Sequence, residues 1–409
     1  MAAHHERPAP DATQRALGAA LLVAAFAVTL WRTARGPNDW AEAHWLLDYR
    51  FGFVKRGLPG QLLTWGAELA GTPITAAGIA AVSYALLVVF AGTMLALALR
   101  IAARDAWRPT TIAVLMVALT SPFAVQVGHL NGYYDHVFLA LGVLSCALAQ
   151  RGRLWPAALV QVVALLVHES CALLTFPTFV LASWLRPRAA TGRERTLLHP
   201  ALFVPVLMAA VMAFVLSTPP ASFEGDYAAR LHAAGFVQSG MAENTPKMLG
   251  FSLQTMWTLV TTLGEPRRYF VAALLVLPSL LALLPALAAR APASPRTFER
   301  LVCYGAVFAP LPMLLVAWDV ERIAAYPLWL LPVALWLRAE AREAPATAPR
   351  WLLPLALAAL VANLLLETPL LDDVQDRLSF GERAVAAGLL SAGAVAASLC
   401  GAAVRRRAA

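Results

Sequence analysis

The chain has 409 residues, of which 60% are hydrophobic and 14% charged, with a mean hydropathy of +0.65 and a formal net charge of +8. A soluble globular chain carries roughly a quarter charged residues, so this composition excludes that class and indicates a polytopic membrane protein. The positive charge is not a nucleic-acid signature, because most of it lies in short segments between apolar runs.

The first apolar run, "ALGAALLVAAFAVTLW", is charge-free over about the length that crosses roughly 30 Å of hydrocarbon. No small-residue cleavage site precedes "WRTARGPNDW", so it reads as a retained helix rather than a signal peptide. Further apolar runs lie near 74–99, 110–126, 136–149, 155–168, 171–185, 199–217, 268–289, 301–317, 323–338, 351–366 and 384–403. With the first, near 16–31, they predict an all-α integral membrane protein with about 12 (10–13) transmembrane helices. Several runs, the pair flanking His168 among them, are short and must borrow flanking residues to span. The Pro-containing runs "FAPLPMLL" and "LLPVALWL" read as helix kinks. The organisation expected is a tail at 1–15, one transmembrane domain at 16–403 with outer loops at 32–73 and 218–267, and a basic tail at 404–409.

Placing the N-terminus in the cytoplasm puts 20 of the 32 Lys and Arg, but only seven of the 24 acids, on the cytoplasmic side. Short loops rich in Lys and Arg stay inside, so both termini are expected in the cytoplasm of a bacterial inner membrane. The exception is the first outer loop, where "DYRFGFVKRGLPG" sets Asp48, Arg50, Lys55 and Arg56 among aromatics and glycines. Cations on the disfavoured side call for a local reason. The four cysteines, Cys146, Cys171, Cys303 and Cys400, are scattered in apolar stretches and read as small buried hydrophobes.

The inner loops ("RIAARDAWRP", "QRGRLWP", "RPRAATGRER", "RAPASPRTFER") look like solvated anchors. The outer connections differ: they carry "GHLNGYYDH", "VHES", "WDVER", "GEPRRYF" and the acidic "ETPLLDDVQDR", and His44, His129, His136, His168 and His232 all fall there. Each cluster has a plain structural reading. "WDVER" suits a hairpin turn with an Asp319–Arg322 contact, His168 and Glu169 suit helix caps, and Tyr133 and Tyr134 suit interface-belt aromatics. Together they suit a single polar pocket, since ionisable groups near hydrocarbon face a bundle interior and are paired.

In such a pocket Arg50, Lys55 and Arg56, on a glycine-punctuated loop, make a phosphate clamp. Asp48, Asp135, His168 and Glu169 are the candidate bases for deprotonating an acceptor hydroxyl. His129, Tyr133, Tyr134, Asp319 and Arg322 are candidate substrate-binding residues, with aromatic faces for sugar rings or a polyprenyl chain. Charge on a leaving lipid phosphate needs neutralising by the arginines or by Mg²⁺ or Mn²⁺, for which Asp48 is the candidate ligand.

This layout resembles the GT-C-type glycosyltransferases and EpsG/Wzy-like polysaccharide polymerases, on "DYRFGFVKRGLPG", "NGYYDH", "HES" and "WDVER". The resemblance implies a polyprenyl-phosphate-linked sugar donor, an acceptor glycan, and chemistry on the extracytoplasmic face in surface-glycan assembly. It also implies that a first-loop acid acts as base or metal ligand; Asp48 matches, with Asp39 and Glu42 as rivals. The chain departs from the pattern in having no adjacent acidic pair in the first loop and no soluble domain after the last helix. A secondary transporter or lipid-linked-sugar flippase, an acyltransferase using His168–Glu169, and a non-catalytic scaffold are the other readings. No repeat relates the two halves as it does in many transporters.

Overall fold

The computed structural model describes residues 12–185, 199–218, 220–290, 297–341, 348–368 and 376–408. The described residues are helices and turns, with no strand among them. In chain order the helices are α1 (Ala12–Thr33), α2 (Asp39–Trp45), α3 (Gly57–Ala70), α4 (Ala76–Arg104), α5 (Pro109–Leu119), α6 (Pro122–His129) and α7 (Asp135–Gln150). Then follow α8 (Leu154–Val167), α9 (Cys171–Leu174), α10 (Phe176–Leu185), α11 (Phe203–Ser217), α12 (Phe223–Ala234), α13 (Ser239–Gly250) and α14 (Leu253–Leu263). The last are α15 (Pro266–Ala288), α16 (Thr297–Phe308), α17 (Val320–Glu340), α18 (Leu352–Leu365) and α19 (Phe380–Ala408).

Each of the 12 predicted apolar runs falls on helix. Five helices, α1, α4, α15, α17 and the Phe380–Leu399 part of α19, are long and apolar enough to cross a membrane alone, and α5 with α6, bent by 41° at their break, has the composition of a broken span or a re-entrant loop. The remaining apolar helices have 10–17 residues, too short by themselves for about 30 Å at 1.5 Å per residue. The interruptions have local causes. Thr120 ends α5 by turning its hydroxyl back to the Met116 carbonyl, 2.9 Å, and Ser121 then caps a new helix that begins with Pro122. The run at 301–317 ends as α helix at Phe308, and Leu311–Leu315 continue as a 3₁₀ turn after Pro310.

Both predicted outer loops turn out to be largely helical, α2 and α3 in the first and α12 to α14 in the second. The charged segment at 186–195, most of "ETPLLDDVQDR", and residues 1–11 and 409 of the two tails lie outside the described residues.

α17 is the axis of the bundle. Almost every residue from Tyr326 to Ala339 is buried, against α4, α6, α10, α15 and α16. Trp329, 2% exposed, sits between the rings of Phe90 and Phe123, at 5.1 and 5.8 Å. A helix apolar on all sides must be wrapped on all sides, and this one is.

A second, smaller core ties the two helical loops together. Phe223, Tyr227 and Leu231 of α12 are buried against Ala43, Leu46, Leu47 and Val54. The Tyr227 hydroxyl donates to the Ala43 carbonyl at 2.5 Å. At about 1.5–3 kcal/mol per fully buried large apolar side chain, these contacts hold the first loop in one conformation.

Candidate functional site

The residue that organises the site is Arg56. It stands just before α3 with φ 62°, in the left-handed region that non-glycine residues rarely occupy. That turn drops its guanidinium onto Glu169, 113 positions along the chain: Nε donates to both carboxylate oxygens at 2.9 and 3.1 Å, and Nη2 also pairs with Oε1. Nη1 meets His44 Nε2 at 3.2 Å, while His44 Nδ1 donates to the Trp40 carbonyl at 2.7 Å. His44 is therefore neutral, with its proton on Nδ1. Burial, reinforced by the Arg56 charge, lowers its pKa to about 3.

His168 caps α8, and its Nδ1 accepts the Ser170 backbone N–H at 3.1 Å with the Ser170 hydroxyl at 2.8 Å. The neutral ring thus carries its proton on Nε2. Arg56, Glu169, Asp135 and Arg322 are all close enough to act on this ring through their charges.

Asp135 opens α7 and is 2% exposed. Its Oδ1 accepts the Tyr326 hydroxyl at 2.5 Å, while Oδ2 lies 3.5 Å from Arg322 Nη1. Arg322 also pairs with Asp319, one turn earlier, and its guanidinium lies 5.8 Å from the Tyr133 ring centroid. Four separate stretches, 44–56, 133–135, 168–170 and 319–326, thus meet at one end of the bundle.

The structure separates Asp48 and Arg50 from this group. Asp48 is fully buried and receives Arg50 Nη2 at 2.7 Å, Arg230 Nη2 at 3.1 Å and the Thr64 hydroxyl at 3.0 Å. Burial disfavours its charge, but the hydrogen bonds from Arg50 and the charge of Arg230 outweigh that and hold the carboxyl below its usual range. This carboxylate is a joint between the first loop and α12. Among the described residues no three His, Cys, Asp or Glu side chains stand together to hold a metal ion. The donor set at Asp48, two guanidinium groups and a hydroxyl, does not fit Mg²⁺ or Mn²⁺ either.

Of the remaining candidates, Tyr134 is buried and donates to the His44 carbonyl at 2.6 Å, so it buckles α2 to the bundle. His129 is buried at the end of α6. Lys55 neighbours Arg56 but forms no hydrogen bond or ion pair among the described residues. Burial, with the nearby Arg56 charge and against the attraction of Glu169, lowers its pKa to about 8.

Sequence reasoning did not place Tyr326, Ser170, Thr64 or Arg230. Tyr326 had a signal, being one helical turn beyond Arg322 on the same face. Arg230 had none. Beside the polar cluster runs an apolar furrow of about 490 Å³ between α3 and α4.

The fold and this cluster define a helical, multi-pass membrane protein with a polar centre at one end of its bundle. No protein-family model, curated protein or solved structure matches the chain.

Proposed function

We propose that the protein is a membrane-embedded glycosyltransferase or polysaccharide polymerase that takes a polyprenyl-phosphate-linked sugar on the extracytoplasmic face of the bacterial inner membrane and serves surface-glycan assembly. The observation that carries this reading is the meeting of Arg56, His168, Glu169, Asp135 and Arg322 from distant stretches of an otherwise apolar bundle. Charged groups gathered this close to hydrocarbon are costly and mark a polar substrate.

The proton inventory assigns roles. Glu169 is saturated by Arg56 and positions it. His168 offers an N–H and so donates to the substrate. Asp135 keeps one oxygen only loosely engaged at 3.5 Å and is the base. The acceptor hydroxyl passes its proton to Asp135 as its oxygen bonds to the anomeric carbon. The bond from that carbon to the phosphate oxygen breaks, and the charge left on the polyprenyl phosphate is met by Arg322, Lys55 and Arg56.

The test is the glycan profile of cells carrying Asp135→Asn, Arg56→Gln or His168→Gln at equal membrane abundance. Loss or shortening of a surface glycan is expected. An unchanged glycan from all three removes the proposal. A lipid-linked-sugar flippase is the second reading, favoured by the 41° break between α5 and α6, since transporters build sites at broken helices. It predicts lipid-linked sugar accumulating on the inner leaflet, whereas the transferase predicts accumulation on the outer one.

A further inference from the structure

The furrow between α3 and α4 is bordered by Pro59, Leu62 and Gly66 on one side and Gly78, Ile79 and Val82 on the other. Its volume of about 490 Å³ lies in the range of roughly 300–1,000 Å³ typical of ligand pockets. Its walls are nearly all hydrocarbon, Thr72 and Thr75 being the only polar side chains on it.

One end of the furrow lies against the polar cluster. Trp45 follows His44, Val137 stands two positions after Asp135, Val167 precedes His168, and Pro59 is three positions after Arg56; all four line the furrow. At that end the charges of the cluster cancel in pairs, Arg56 with Glu169 and Arg322 with Asp319 and Asp135. Lys55, which feels the Glu169 charge, forms no hydrogen bond or ion pair among the described residues. α3 also begins with no side-chain cap, so no capping side chain takes up the amides of its first turn.

We infer that the furrow holds the first isoprene units of a single polyprenyl chain whose phosphate rests at Lys55. This deepens, and rests on, the transferase reading. An apolar furrow whose lining residue Pro59 follows the cation Lys55 by four positions is complementary to an amphiphile with one apolar chain and one anionic head. A diacyl phospholipid would have to seat two chains in the same furrow of about 490 Å³. The small residues Gly66, Ala67 and Gly78 alternate with Leu62, Leu63, Ile79 and Val82 along the walls, leaving recesses for the methyl branches of isoprene. Gly66 is the position to block: a Cβ built there meets no atom within 4 Å, so a larger side chain enters the furrow without disturbing the helix.

The test uses the full chain purified in a non-ionic detergent and a C55 polyprenyl monophosphate carrying a benzophenone near its head. In the unaltered protein the photolabel is expected on peptides of 58–86. Labelling only on other helices overturns the inference. Direct binding of the same lipid should weaken at least tenfold in Gly66→Phe and about tenfold in Lys55→Gln, and phosphatidylglycerol should compete at least tenfold less well than the polyprenyl phosphate. Gly66→Phe binding like the unaltered chain, or equal competition by phosphatidylglycerol, overturns it. The two proposals fail separately: binding lost in Gly66→Phe with an intact glycan in all three of Asp135→Asn, Arg56→Gln and His168→Gln keeps the furrow and removes the transferase, and a glycan lost in those variants with binding unchanged in Gly66→Phe keeps the transferase and removes the furrow.

Discussion

Glu169→Gln removes a negative charge from the Arg56 fork while keeping the side chain's size. Breaking one partner of a fully buried pair costs about 3–5 kcal/mol because the other charge is stranded. Here the two side chains retain 19% and 17% exposure, and Arg56 keeps its contact with His44, so about 2–3 kcal/mol is expected. Arg56→Gln strands Glu169 beside Lys55 and His168 and should cost a similar amount. The double variant leaves two neutral amides able to bond each other and should cost about 1–2 kcal/mol, giving a coupling of roughly 3 kcal/mol. With an unfolding entropy near 2.1 cal/mol/K per residue, the 409 residues carry about 0.9 kcal/mol/K, so each single change lowers Tm by about 3 °C. The assay is tryptophan-monitored thermal unfolding in one detergent at one scan rate, for all four proteins. A double variant whose loss equals the sum of the singles within about 0.5 kcal/mol would refute the pairing.

His44 makes a pH prediction. Its folded pKa of about 3 lies below the unfolded value near 6.5, so as the pH falls below 6.5 the unfolded chain takes up a proton that the folded loop refuses. Stability therefore declines from pH 6.5 towards 3, by about 2 kcal/mol at pH 5, and His44→Gln should flatten that part of the Tm–pH curve. Gly60→Ala places a Cβ 2.0 Å from the Leu47 carbonyl oxygen and should lower Tm by the equivalent of about 1–3 kcal/mol or more; Gly66→Ala, in open space inside α3, should raise it by the equivalent of about 0.5–1 kcal/mol. Asp48→Asn and Arg230→Gln should each lower Tm and should not add in combination, since they break one joint, as seen in the same unfolding assay. Lys55, with a pKa near 8, should lose its charge as the pH rises through that value, so polyprenyl phosphate binding should weaken from pH 7 to 9 in the unaltered chain and hold constant in Lys55→Arg.

The spanning helices were legible because uninterrupted apolar composition needs no partner to declare itself: "ITAAGIAAVSYALLVVFAGTMLALAL" can be little else than α4. The helices within the outer loops were less so, since "FEGDYAARLHAA" is polar on average. Its signal was periodic: Phe223, Tyr227 and Leu231 recur every fourth residue and are the three it buries. At the polar centre the residue types were legible and the pairings were not. Asp48 reads as a free acid beside basic neighbours, and only the fold brings Arg230 to it. Arg56 likewise reads as a free phosphate ligand until Glu169 arrives from across the bundle, leaving its neighbour Lys55 without an ion pair among the described residues.

The polar centre draws on Tyr326 and Arg322, which lie 191 and 187 positions after Asp135. During synthesis the ribosome delivers Asp135 long before its counter-charge exists, and α17 must then thread itself among neighbours already inserted on several sides. Insertion and maturation are thus distinct events for this chain: a nascent protein halted before residue 320 holds most of its hydrophobic segments yet lacks the arginine that closes the site. Biogenesis thus sets the moment at which the polar centre is first complete.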